Sequence, residues 1–148
     1  MKMMALLALL FATQVTFAKS KDKYVDYHVQ ADSARVEAES IRFFTQMGYV
    51  QDTEHTRQCN DQPSSGALTF RHTGEGQSGP NGLSRCVVLT ITPAENSCTV
   101  RIEVYDHLRG GISLPATKHY DADRIHKDWD AAFAAIAKAS ETQSQTTP

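Results

Sequence analysis

The stretch "RCVVLTITPAENSCTVRIEVYDH", residues 85 to 107, decides the fold of this chain. Two runs rich in β-branched residues, which favour strands, flank the polar pair Glu95-Asn96. If Ala94 faces Ser97 across that turn, the opposed pairs are Val87 with Val104, Leu89 with Ile102 and Ile91 with Val100. All of these apolar side chains then share one face, as a correct register requires. The stretch predicts an antiparallel hairpin with one apolar face.

Further strands and two helices flank this hairpin. Residues 24–29 and 67–73 alternate as strands do, and 49–59 is a mostly polar edge strand. Residues 32–48 and 121–139 have the period of amphipathic helices. The first helix has Asp32 or Ser33 as its N-cap and a closing Gly48. Its narrow polar stripe consists of Arg35, Glu39, Arg42 and Gln46. The second has one apolar stripe: Ile125, Trp129, Ala132, Phe133 and Ile136. We therefore expect an α+β fold, an antiparallel four- to five-stranded meander sheet packed on one face by two amphipathic helices.

The first residues have the pattern of a secretory signal peptide. Lys2 is followed by an apolar run over 3–12 and by small residues that end at Ala18. The apolar run is about half of the roughly 20 residues that span a bilayer. The sequence predicts a signal peptide over 1–18, a single domain over 19–139 and a disordered tail over 140–148. The mature protein is expected to be periplasmic or secreted, without stable membrane insertion.

The charge of the mature chain argues against one class of partner. Without the signal peptide, 14 basic and 17 acidic side chains remain, and no basic cluster stands out. Nucleic-acid binding needs such a cluster, so nucleic acid is not an expected partner.

The loop "GEGQSGPNG", residues 74 to 82, contains the spacing of a dinucleotide-binding motif. That motif works only where its last glycine opens a helix that faces the pyrophosphate. Here a turn and another strand follow, so the sequence predicts a hairpin loop and no cofactor. Long loops on a rigid sheet often contact partners. Gly76 and Gly79 are therefore candidate binding positions.

Three cysteines allow at most one bridge within the chain. The hairpin register puts Cys86 and Cys98 on opposite faces and far apart, which disfavours a bridge between them. A Cys59–Cys98 disulfide is the first expectation and Cys59–Cys86 the second, and three free thiols are the remaining alternative.

No histidine has the spacing of a zinc motif, so no metal site is expected from the sequence. However, His72 and His107 both end strands at one end of the sheet, with Asp106 beside the latter. This arrangement supports an alternative function, a small metal-dependent or acid–base hydrolase.

The residues near the end of the last long strand are the main binding candidates. Arg101, Glu103 and Tyr105 are expected on the solvent-facing side, and tyrosine and arginine are common in binding hot spots. Equally, Arg101 and Glu103 can simply pair across the sheet. The sequence favours a small exported binding protein over an enzyme, an inhibitor, immunity-type or accessory protein for another envelope or secreted protein. Its candidate binding residues are Arg101, Glu103, Tyr105, His107, Arg109, Gly76 and Gly79.

Overall fold

The computed structural model describes residues 22–53, 66–73, 83–108 and 116–142. In chain order the elements are β1 (Val25–Val29), α1 (Ser33–Gln46), β2 (Val50–Gln51), β3 (Ala67–Thr73), β4 (Leu83–Pro93), β5 (Cys98–Leu108), β6 (Ala116–His119) and α2 (Ala122–Thr142). The signal-peptide cleavage site, the glycine loop and Cys59 lie outside the described residues.

The described strands form one antiparallel sheet in the order β1-β5-β4-β3-β2, and β6 also pairs with β5. The hairpin register is the predicted one, with Val87 opposite Val104 and Ile91 opposite Val100. Strand β1 covers the first half of the β5 edge, and β6 covers the second half. The six-stranded sheet thus has one strand, β6, that the sequence patterns did not indicate.

Both helices pack on the face of the sheet that carries the apolar hairpin residues. Phe44 of α1 stacks on Phe70 of β3 at 4.5 Å between ring centroids and lies 5.5 Å from Trp129 of α2. The predicted stripe of α2 is buried here, with Ala132 only partly so; its fully buried members are Ile125, Trp129, Phe133 and Ile136. The predicted α+β architecture is confirmed.

Helix α1 begins and ends as predicted but is rotated about its axis. The Asp32 side chain caps the first turn by accepting from the Arg35 N–H at 3.0 Å, and Gly48 has a φ of 82°. However, Glu39 of the predicted polar stripe is buried. Arg42 satisfies its carboxylate by donating from Nε and Nη2, at 2.8 and 2.6 Å.

The opposite face of the sheet is not uniformly solvated, contrary to expectation. Cys86, Val88 and Tyr105 form a second, smaller buried cluster there, with Ala67 packed against it. Strand alternation places a residue on a face but does not tell whether that face is covered. The prediction that Tyr105 faces solvent is therefore wrong.

Helix α2 continues past the predicted start of the C-terminal tail at 140. Ser140 is fully buried and donates its hydroxyl proton to the carbonyl of Ile136 at 2.8 Å. The helix ends at Thr142, so the first three residues assigned to the tail are helical. Neither helix, in the part of the chain that the structure describes, combines the length and apolarity that a membrane span requires.

Candidate functional site

Arg101, the first predicted binding residue, is exposed on β5 but already has a partner. Its Nε and Nη2 donate to the two carboxylate oxygens of Asp26 on β1, at 2.8 and 2.9 Å. Its guanidinium carbon lies 3.9 Å from the ring centroid of Tyr24. The hydrogen bond from Arg101 lowers the pKa of Asp26 from its usual value. The simpler expectation for Arg101, pairing across the sheet, is thus the observed one.

The remaining predicted binding residues do not form one exposed surface. Glu103 and His107 are partly buried on the same face of β5, and Tyr105 is buried with its ring 5.1 Å from that of His119. The other predicted binding positions lie outside the described residues: Arg109, Gly76 and Gly79.

The residues of the alternative hydrolase site are divided between the two faces of the sheet. By strand register, His72 and Asp106 both align with Arg85 and lie on the helix-covered face. His107 is next to Asp106 along β5 and therefore points to the opposite face. Across the described ranges, no group of three or more His, Cys, Asp or Glu side chains is placed to hold a metal ion.

The expected Cys59–Cys98 disulfide is wrong, because Cys98 is a free thiol. Cys98 lies opposite Pro93, as the register predicted, and is buried in the main core. Burial raises the pKa of its thiol. Cys86 lies on the other face and is disulfide-bonded.

A cluster of arginine, tyrosine and aspartate side chains lies where the helix-covered face meets one end of the sheet. We call it the rim, and it consists of Tyr49, Arg85, Asp106, Tyr120 and Arg124. Arg85 of β4 and Asp106 of β5 are direct cross-strand partners, and exposed Lys118 of β6 follows in the same row. Tyr120 comes just after β6, and Arg124 lies in the first turn of α2.

Asp106 is the anchor of the rim. Its side chain is only 14% exposed and accepts from Arg85 Nε at 3.1 Å and from the Tyr120 hydroxyl at 2.9 Å. A buried carboxylate needs such donors, because its desolvation is costly when they are missing. Arg85 also interacts electrostatically with Tyr49, whose pKa is raised by burial.

Tyr120 connects the two arginines of the rim. Its ring is almost fully buried, and the guanidinium carbons of Arg124 and Arg85 lie 3.5 and 5.4 Å from the ring centroid. Its hydroxyl accepts from Arg124 Nη2 at 2.9 Å while it donates to Asp106. Burial and the hydrogen bond to Asp106 raise the pKa of Tyr120, so the phenol stays protonated.

Both rim arginines remain accessible although they are held in place. The side chains of Arg85 and Arg124 are 40% and 43% exposed. The other close charged group at Arg124 is Asp128, 3.6 Å from Nε. An open groove continues from Arg124 over the first two turns of α2 and is lined by Asp121, Asp123, Arg124, Lys127 and Asp128.

The sequence analysis did not identify the rim, although its Arg85–Asp106 pair could have been predicted. The register that opposes Val87 to Val104 also opposes Arg85 to Asp106, so this ion pair follows from it. The other half depends on β6, since this strand delivers Tyr120 and Arg124 to the pair. No apolar alternation marks those four residues.

Comparison with known proteins adds no assignment. No protein-family model matches the chain, and the search of curated proteins gave no match.

Proposed function

We propose that this chain is a small exported binding protein, of the inhibitor, immunity or accessory type, that contacts another protein through the rim. The observation that carries this proposal is the pair of half-exposed arginines held against one buried tyrosine.

Such an arrangement suits binding for two physical reasons. Arginine and tyrosine dominate the binding energy of many interfaces, because they combine large contact areas with directional donors. The ordering of a flexible side chain costs about 0.5–1.5 kcal/mol on binding. In the rim, Asp106 and Tyr120 already hold the arginines in the free protein, which reduces this cost.

Export rests on the N-terminal sequence pattern, and it places the partner in the periplasm or outside the cell. Intact-mass measurement of the protein recovered from the periplasm and medium of an expressing bacterium tests it. We expect a mature chain that begins at Lys19. A chain that stays in the cytoplasm with its first 18 residues intact contradicts export.

Site-specific crosslinking tests the binding surface. A photoreactive amino acid replaces Lys118, beside the rim, or Ala34, an exposed control in the first turn of α1. The control lies toward the other end of the sheet, because its neighbour Asp32 is close enough to Cys98, at the start of β5, to raise the pKa of that thiol.

We expect the probe at Lys118 to yield one crosslinked protein that the probe at Ala34 does not yield. Mass spectrometry then identifies the partner. Equal crosslinking from both positions, or none from Lys118, contradicts recognition through the rim.

A further inference from the structure

Arg124 uses fewer of its guanidinium donors in hydrogen bonds than Arg101 and Arg42 do. Arg101 donates from Nε and Nη2 to Asp26. Arg42 donates from Nε and both terminal nitrogens to Glu39 and Gln46. Among the described residues, Arg124 donates one side-chain hydrogen bond, from Nη2 to Tyr120, and its Nε forms an ion pair with Asp128 at 3.6 Å. In the described part of the chain, its Nη1 has no acceptor.

From this we infer that Arg124 and the adjoining groove bind a mixed-charge segment of the partner protein. A carboxylate of that segment accepts from Nη1 of Arg124, and a neighbouring lysine or arginine faces Asp123. This inference rests on the proposed function and adds to it the chemistry of the recognised segment.

The geometry of Arg124 favours a carboxylate. Guanidinium groups bind carboxylates through parallel N–H donors, so a fixed guanidinium plane improves the fit. Stacking on Tyr120 at 3.5 Å fixes that plane. The exposed Lys127 lies one helical turn along the same groove and adds a second positive charge.

The groove also explains why an all-acidic segment fits poorly. Asp121, Asp123 and Asp128 line it together with the two cations. Asp121 caps α2 through the Arg124 N–H, whereas Asp123 has no hydrogen-bond or ion-pair partner among the described residues. Like charges that face each other across an interface disfavour binding. A segment that carries both signs satisfies Arg124 and Asp123 together.

Nuclear magnetic resonance titration of the full mature chain tests this inference with defined probes. Three peptides of equal length are compared: alternating Glu-Lys, all-Glu and all-Lys. An equimolar mixture of free glutamate and lysine is the small-molecule arm. The readouts are the Arg124 Nε–H signal and the backbone amides of residues 121–128.

We expect the alternating peptide to bind at least about fivefold more tightly than the others, a difference of about 1 kcal/mol. Arg124→Lys keeps the charge but loses the planar fork, so its affinity should fall by a similar factor. The matched variant Arg101→Lys should bind like the wild type, because Arg101 is occupied by Asp26.

Several outcomes overturn the inference: equal binding of the all-Glu peptide, equal binding of the free amino acids, unchanged affinity of Arg124→Lys, or no response at Arg124 to any peptide. None of these affects crosslinking from Lys118. Failure of the charge pattern is therefore distinguishable from failure of the binding function itself.

Discussion

Arg101 and Arg124 lie on opposite faces of the molecule in settings built from the same residue types. Each guanidinium stacks on a tyrosine, at 3.9 and 3.5 Å, and each has an aspartate nearby. On the β1–β5 side, Asp26 takes two hydrogen bonds from Arg101. At the rim, Asp128 lies 3.6 Å from Arg124 Nε, and Asp106 is bonded to Arg85 and Tyr120. The two arginines are similarly exposed, but Arg101 donates two side-chain hydrogen bonds and Arg124 donates one among the described residues.

Removal of the two aspartates should have unequal effects on folding. Asp106→Ala leaves Arg85 and the Tyr120 hydroxyl without their common acceptor, so we expect a loss of about 2 kcal/mol in the free energy of unfolding. Asp26→Ala breaks an exposed pair and should cost clearly less. Urea denaturation of both variants measures the difference. Equal losses contradict the view that Asp106 anchors the rim.

Removal of the Tyr120 hydroxyl should lower the free energy of unfolding more than removal of the Tyr24 hydroxyl, and by less than Asp106→Ala does. Tyr120→Phe loses a group that bridges Asp106 and Arg124, which should cost about 1 kcal/mol. Tyr24→Phe is the matched control, because that hydroxyl has no hydrogen-bond partner among the described residues. Urea denaturation checks both. A stable Tyr120→Phe variant shows that the bridge does not hold the rim.

Acid should lower the stability of the fold by protonating Asp26, which joins β1 to β5. The pKa of Asp26 is lowered in the folded chain, so its contribution to stability is present above the unfolded value of about 3.9 and is lost as the pH falls through the folded value. Asp26→Asn should therefore lose less stability than the wild type between about pH 5 and pH 2. Denaturation midpoints across this range measure it, with Asp123→Asn as control. Parallel wild-type and Asp26→Asn curves refute the prediction.

Alkylation of free thiols compares the cysteines on the two faces of the sheet, Cys98 and Cys86, without a change to the protein. Buried Cys98 should resist alkylation in the native protein, and denaturation without reductant should expose this thiol alone. We predict that the partner of Cys86 is Cys59, the other cysteine of the chain. Peptide mapping of the unreduced protein checks this linkage. Alkylation of Cys86 before reduction contradicts it.

The hairpin shows how far sequence reasoning reaches in this fold. The apolar alternation of residues 85 to 107 set the register, and the register excluded a bridge between Cys86 and Cys98. Capping chemistry likewise located Asp32 and Gly48 at the ends of α1. These features are local, so local patterns were sufficient to predict them.

Other features depend on contacts between segments that are distant in the sequence. Tyr105 is buried in the cluster on the face opposite the helices. The alternation of residues along a strand does not indicate whether that face is covered. Glu39 is buried because Arg42 can satisfy it within the same helix. Strand β6 is only four residues long, and its pairing with β5 brings Tyr120 and Arg124 to the rim. The half of the rim that depends on β6 was therefore not predictable from local patterns.

The pairing of β1 with β5 has a consequence for the order in which the chain folds. Asp26 and Arg101 are 75 positions apart, so the first strand finds its neighbour only after β5 is available. Closing so distant a contact is slow compared with hairpin formation. A nascent chain therefore keeps β1 without its partner strand until β5 has been synthesised.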